Sequence, residues 1–407
     1  MRATEIPCRR AAGLLLILAL LLATAAPAPA GAALPVLDDP AVAGPPPEAW
    51  PEPAATEVPA TSWVLVEAST GQRLAEHDAE ELRPVASTIK VLTALTVVQR
   101  ADLDEEVTVG REVLVEGASV GLQPGDTWTV GDLLEAILVR SGNDAAEALA
   151  RHVGGDTQRF LELMEADIEA LGLDARDLVS PTGLDDANRL SALDLATIAR
   201  AALAEPELRP LLALRETTTP VVGPRENRNE LLQRYDGATG VKTGFTLAAG
   251  NSLIASAQRD GRELIAVVLD AGDDPARFEQ AAQLLDLGFD DFTRHELTSV
   301  VDLAVAGGWQ TFTAGPVTVS APGAATPDLV LDLPARVPET SLSLQAVVDG
   351  TVLAGVDAVA DTSGAFEPAR AEAADPAADP PAARLGQALV DGAYASLRAA
   401  AAADTLR

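Results

Sequence analysis

A serine and a lysine three positions apart, Ser87 and Lys90, open the run STIKVLTALTVVQR at residues 87–100. Ile89, Val91, Leu92, Ala94, Leu95, Val97 and Val98 leave a helix here almost no polar face, which predicts burial nearly all round. The spacing puts both functional groups on one face, and serine at that position is also a favoured helix cap. A lysine at the mouth of such a helix is poorly solvated and close to the positive end of the dipole, and both effects favour the neutral amine. A neutral amine beside a hydroxyl is a general base beside a nucleophile. The spacing alone also fits a capping serine and a lysine snorkelling out of a core helix. Composition separates the two readings. Of 29 basic residues only Lys90 and Lys242 are lysine, and arginine does not deprotonate to serve as a base.

Two further short motifs carry chemistry-bearing side chains. Ser141-Gly142-Asn143 lies between a helix expected over 130–140, capped by Thr129, and another expected over 144–152. Gly142 punctuates a tight turn that holds Ser141 and Asn143 on a loop; plain end-capping is the alternative. The second lysine lies in Gly240-Val241-Lys242-Thr243-Gly244-Phe245-Thr246, which reads as a strand with glycines where another backbone must approach closely.

The elements that position these motifs follow from period and punctuation. Residues 63–67 and 72–76 read as strands joined by a turn at 68–71, with further short strands or turns at 107–109 and 122–126. Residues 156–215 read as helical, broken at Ser180-Pro181-Thr182-Gly183 and at Glu205-Pro206, so that 85–215 forms a mostly helical lobe. Strands at 250–258 and 263–270 are joined across Asp260-Gly261, a strong hairpin signal, and 278–287 is an amphipathic helix that would cover them. An antiparallel sheet flanked by helices and joined to a helical lobe is an α+β domain, placed at 61–295.

Outside that domain the texture changes. Arg2, Arg9 and Arg10 precede a leucine-rich run and then Ala28-Pro29-Ala30, the pattern of an export signal over 1–30. Residues 31–60 are rich in Pro and Ala and read as a disordered linker. Short alternating runs punctuated by Gly and Pro make 296–365 a small β-rich domain. An acidic linker at 366–382 leads to an alanine-rich terminal helix at 383–407.

The net charge is −32, and residues 1–30 hold three Arg and one Glu, so the remainder stands at −34. Such an excess of acid repels nucleic acid and anionic head groups and suits solubility in salt. Cys8, the single cysteine, lies within the leader, which leaves no disulfide or thiol chemistry. His77, His152 and His295 are scattered, so no metal site and no cofactor are expected.

With Ser87-Thr88-Ile89-Lys90, Ser141-Gly142-Asn143 and Lys242-Thr243-Gly244 in that order, 54 and 101 residues apart, the chain resembles the serine-type D-alanyl-D-alanine carboxypeptidases. These are low-molecular-mass penicillin-binding proteins of the bacterial cell wall with a β-lactamase/transpeptidase-like domain. The resemblance covers roughly residues 60–295. It implies Ser87 as acylated nucleophile, Lys90 as its base, Ser141 as proton relay and Asn143 as a holder of the substrate amide. It places Lys242, Thr243 and Gly244 along the wall that pairs with the substrate, and the N–H groups of Ser87 and Phe245 in an oxyanion hole. Arg228 and Arg277 match arginines used against the terminal carboxylate. The implied partners are peptidoglycan stem peptides and β-lactam antibiotics as covalent inhibitors, with export to the cell-wall face. The resemblance also covers the β-rich segment and, as a membrane anchor, the terminal helix; its few cations, Arg384, Arg398 and Arg407, make a poor interfacial face. Two positions depart from the family pattern: Glu165 after Met164, and Ser180 before Pro181. A serine β-lactamase, an endopeptidase and a non-catalytic wall-binding protein are the alternatives. Glu205-Pro206-Glu207-Leu208-Arg209 is near a β-lactamase glutamate motif but lacks its Asn and lies 64 residues after Ser141, so it reads as a helix boundary.

Overall fold

The structure, a computed structural model, describes residues 58–305 apart from 218, 220 and 221, and residues 308–323, 325, 327–331, 341–348, 351–360 and 395–398. The expected leader, the linker up to residue 57, the acidic linker and all but four residues of the expected terminal helix lie outside the described residues. The chain divides into two compact units between Phe292 and Thr293.

The first unit is α+β and is built on a five-stranded antiparallel sheet. Its strands are β1 (Ser62–Glu67), β2 (Arg73–His77), β3 (Ala238–Thr246), β4 (Gly250–Arg259) and β5 (Arg262–Leu269), in the order β2-β1-β5-β4-β3. The β4–β5 hairpin closes with Arg259 opposite Arg262, and Asp260 and Gly261 both take positive φ, +50° and +79°. That two-residue turn matches the right-handed twist of the strands it joins. Alternation then sorts the two faces of the sheet. Val64, Val66, Ile254, Ile265 and Val267 enter the core shared with the helical lobe. Leu65 and Leu264 instead lie against Gly288 of a helix on the opposite face.

The helices of nine residues or more are α1 (Lys90–Val98), α2 (Val130–Val139), α3 (Asn143–Gly154), α4 (Thr157–Ala170), α5 (Ala192–Ala204) and α6 (Asp274–Asp291), with two shorter ones at Leu208–Leu212 and Leu231–Arg234. Thr129 and Ser191 begin α2 and α5 through capping boxes with Asp132 and Asp194. Asp273 caps α6, with Pro275 in its first turn. α1 buries every residue but Val98, and each fully buried leucine of Leu92 and Leu95 stabilises by about 1.5–3 kcal/mol. Its far end is tied to α4, where the buried Asp167 carboxylate accepts from Thr96 Oγ1 at 2.7 Å and from Arg100 at 2.8 and 2.6 Å.

Local structure departs from the sequence reading in three places. Ser87 is not a helix cap. It lies in a 3₁₀ turn, Ala86–Ile89, ahead of α1, and it is the Thr88 hydroxyl that bonds the local backbone, donating to the Val85 carbonyl at 2.6 Å. The break expected at 180–183 in the helical stretch 156–215 widens to 172–188, where side chains compete with the backbone for its partners. Asn188 accepts from Val179 N at 2.8 Å and donates to the Ser180 carbonyl at 2.6 Å, and Ser180 Oγ accepts from Thr182 N at 3.0 Å. Within the expected terminal helix, Ala395–Arg398 is a strand instead.

The second unit holds a six-stranded sheet. Its strands are β6 (Phe292–Val305), β7 (Gly308–Pro322), β8 (Asp328–Leu331), β9 (Ser341–Val348), β10 (Thr351–Ala360) and β11 (Ala395–Arg398), in the order β8-β9-β10-β7-β6-β11. β11 runs antiparallel to β6, with Val300 opposite Arg398 and Leu303 opposite Ala395. An open sheet edge offers these residues a ladder of backbone partners, which a short helix without a core to pack on does not match. Val319, Ala321, Leu344 and Ala346 are buried in this unit.

Candidate active site

The three motifs found in the sequence sit on three different elements of the first unit. Ser87 is in the turn before α1, Ser141 and Asn143 join α2 to α3, and Lys242, Thr243 and Gly244 lie on β3, at the edge of the sheet. Backbone left-handedness marks the first two. Apart from three aspartates, Ala86 (φ +48°) and Ser141 (φ +66°) are the non-glycine residues with positive φ among the described residues. Such conformations cost of order 1–3 kcal/mol and concentrate where geometry serves function.

Lys90 is the centre of the arrangement. It is fully buried, and its Nζ has three neighbours: Asn143 Oδ1 at 2.8 Å, the Thr182 carbonyl at 2.5 Å and Ser87 Oγ at 3.0 Å. The first two accept only. A neutral amine has two N–H groups and one lone pair. Asn143 and Thr182 take the N–H groups, so the lone pair faces the Ser87 hydroxyl. Burial, with help from the nearby Arg228, brings the Lys90 pKa from 10.5 down to about 7, against an opposing pull from Asp144. The Asn143 amide is not free to flip, because its Nδ2 donates to the Glu116 carbonyl at 2.8 Å. Its place at the start of α3 is equally fixed, with its backbone N–H on the Ala118 carbonyl at 2.6 Å. End-capping does not describe this tripeptide: Gly142 occupies the cap position of α3 with no side-chain bond.

β3 approaches the nucleophile turn closely because Gly244 has no side chain. A Cβ there would lie 3.0 Å from the Val85 carbonyl and 3.0 Å from Thr88 Cγ2. Gly183 does the same from the other side. Its φ is +74°, and a Cβ would overlap the Ala86 carbonyl oxygen at 1.9 Å. Lys242 is 1% exposed, and its Nζ donates to the Thr243 carbonyl at 2.9 Å. Burial first, then the charges of Lys90, Arg228 and Arg277, hold its pKa well below the ordinary lysine value. These influences link four basic side chains, Lys90, Lys242, Arg228 and Arg277. Arg228 enters through its backbone, which donates to the Val139 carbonyl at the end of α2, at 3.3 Å. Arg277, on α6, donates to the Gly244 carbonyl at 3.0 Å and pairs with Asp274. Phe245 stands 56% exposed on β3.

Not every sequence candidate meets Lys90. The Ser141 hydroxyl is not among its three partners, although Ser141 is buried two residues from Asn143. Conversely, the Thr182 carbonyl was not legible as part of the site. Its one signal was the glycine after it, read merely as a helix break. Glu205, the residue nearest a β-lactamase glutamate motif, ends α5, and its carbonyl accepts from Leu208 and Arg209 N at 3.2 and 2.9 Å. Among the described residues no group of His, Cys, Asp and Glu could hold a metal ion.

The sequence profile of the D-alanyl-D-alanine carboxypeptidases matches residues 49–273. The chain belongs to this family. A D-alanyl-D-alanine carboxypeptidase of Mycobacterium tuberculosis, DacB2, is 37% identical over 243 residues, which cover 57% of this chain and 82% of that protein. The crystal structure of penicillin binding protein 6B from Escherichia coli matches with a TM-score of 0.63 at 32% identity, over 76% of this chain and 97% of that one. The D-alanyl-D-alanine carboxypeptidase DacD from Francisella tularensis matches with a TM-score of 0.65 over 76% of this chain and 94% of its own, and at 23% identity that likeness bears on the fold alone. As a D-alanyl-D-alanine carboxypeptidase the chain is a serine-type hydrolase, and its α+β first unit has the penicillin-binding-protein fold.

Proposed function

We propose that Ser87 is the nucleophile and Lys90 the general base of a carboxypeptidase that removes the terminal D-alanine from peptidoglycan stem peptides. One observation carries this reading: the buried Lys90 amine lies 3.0 Å from Ser87 Oγ, and its other two partners, Asn143 Oδ1 and the Thr182 carbonyl, can only accept. Lys90 takes the hydroxyl proton as Ser87 Oγ forms a bond to the carbonyl carbon of the penultimate D-alanine. The N–H groups of Ser87 and Phe245 receive the developing oxyanion, a contribution typically of two to three orders of magnitude in rate. Collapse breaks the C–N bond, and the leaving amine takes the proton back from Lys90, relayed by Ser141. Water then hydrolyses the ester and frees Ser87. Asn143 is held by Lys90 and Glu116 with its amide beside the nucleophile, where it also meets the substrate amide. Thr243 and Gly244 offer the edge of β3 to the substrate backbone, and Lys242, Arg228 and Arg277 receive its terminal carboxylate.

A β-lactam presents the same kind of acyl carbonyl and is a covalent inhibitor in this reading. The leader at 1–30 directs the protein to the cell-wall side of the cytoplasmic membrane. Among the described residues no helix is long and apolar enough to cross a membrane. Intact mass and peptide mapping after incubation with penicillin test the proposal. The expected result is one adduct, on the peptide containing Ser87, with none in Ser87→Ala. An adduct that survives in Ser87→Ala would overturn the assignment.

A further inference from the structure

Next to Asn143 lies a carboxylate that the mechanism above does not use. Asp144 is 2% exposed and faces the loop before α2 rather than solvent. Its two oxygens accept from Ser119 Oγ at 2.6 Å, from Val120 N at 3.1 Å, from Gly121 N at 2.9 Å, from Leu122 N at 3.1 Å and from Ala145 N at 3.0 Å. Four backbone N–H groups and a hydroxyl on one buried carboxylate make a rigid anion clamp. The clamped loop carries, just upstream, the two carbonyls that hold Asn143: Ala118 O on its backbone and Glu116 O on its side-chain amide. Those contacts turn Asn143 Oδ1 toward Lys90.

We propose that Asp144 is a positioning residue: by clamping residues 119–122 it fixes the Asn143 amide and, through it, the direction of the Lys90 lone pair toward Ser87. The proposal rests on Lys90 being the base. The charges that act on Lys90 come from two other elements, Arg228 after the 225–226 strand and Asp144 on α3, and Lys90 in turn acts on Lys242 of β3, which also feels Arg228 and Arg277 of α6. Asp144 is the anion among them and supports the protonated amine. Its removal therefore moves Lys90 further toward neutrality.

The test is the rate of penicillin acylation against pH in wild type, Asp144→Asn, Ser119→Ala and Lys90→Met. Asp144→Asn keeps the shape and loses the charge. The expected outcome is a fall in the plateau rate on the order of a hundredfold, as misplaced catalytic groups give, with the acid limb displaced to lower pH. Ser119→Ala keeps the charge and removes one donor; it slows acylation several-fold with the limb in place. A folded Asp144→Asn whose limb does not move and whose plateau is intact overturns the proposal. If that variant does not fold, an unchanged plateau in Ser119→Ala overturns it and a slowed one supports it. Lys90→Met separates this from the underlying reading: if it still acylates at the wild-type rate the base assignment has failed, whereas an inactive Lys90→Met beside an unaltered Asp144→Asn sinks the clamp alone.

Discussion

Replacing Lys90 with methionine gives a stability difference whose pH dependence follows from the structure. The side chain keeps an unbranched apolar stem but loses the amine. In the folded protein the Lys90 pKa is about 7 rather than 10.5. Below pH 7 the amine is protonated in both states, and its contribution does not change with pH. Between 7 and 10.5 the unfolded chain holds the proton and the folded protein does not, so stability rises with pH by about 1.4 kcal/mol per unit. From pH 7 to about pH 10 that amounts to roughly 4 kcal/mol in the wild type and to nothing in Lys90→Met. Lys242 titrates in both proteins; losing the Lys90 charge relieves part of its depression in the variant, whereas burial, the largest cause of that depression, is common to both. The acceptors left unpaired by the substitution, Asn143 Oδ1 and the Thr182 carbonyl, cost about 1–3 kcal/mol each, independent of pH. Urea denaturation of both proteins at about pH 7, 8.5 and 10 measures the quantity. The wild type should gain on the variant steadily across that range. A flat difference would mean that Lys90 keeps an ordinary pKa, and a permanently charged lysine is no base at neutral pH.

Two further outcomes test the walls of the site. Arg228 and Arg277 both depress the protonation of Lys242, and Arg228 that of Arg277, and a charge-assisted contact to a carboxylate is worth about 1.5–3 kcal/mol. Amidating the C-terminus of a D-Ala-D-Ala peptide should therefore lower kcat/KM by about ten- to a hundredfold, and equal rates on acid and amide would favour an endopeptidase instead. Gly183→Ala drives a methyl group into the Ala86 carbonyl at a left-handed position; it should destabilise by about 3 kcal/mol or more and slow acylation in whatever protein folds, and a wild-type melting temperature would show that the two turns do not meet.

How far the site could be read from sequence depends on which atoms do the work. In the proposed site Ser87, Lys90, Asn143 and Lys242 act through side chains at fixed spacing, so the motifs announce them. The Thr182, Glu116 and Ala118 carbonyls act through the backbone, and a carbonyl has no residue type to signal it. Asp144 was visible only as the first residue of a helix, where an acid is unremarked because it suits the dipole; its true partners lie 22 to 25 residues upstream. The sheet and its hairpin were legible because period-2 alternation and Asp260-Gly261 are local signals. The irregular 172–188 stretch was not, since its shape is set by what Asn188 and Ser180 bind rather than by propensity. At Ala395–Arg398 a local preference for helix met an open strand roughly 100 residues earlier in the chain, and pairing of that range cannot be seen in a window.

The chain has only two lysines, and both are enclosed, at 0% and 1% exposure. The folded enzyme therefore shows no lysine amine to its surroundings. Amine-directed chemistry such as acylating dyes, aldehyde cross-linkers and activated resins has little beyond the chain's own N-terminus to attack while the fold is closed. Its reaction with Lys90 or Lys242 then becomes a clock for opening of the structure around these two side chains. A lysine-specific protease should likewise leave the native protein whole, and the first cut would report that α1 or β3 had come away from its neighbours.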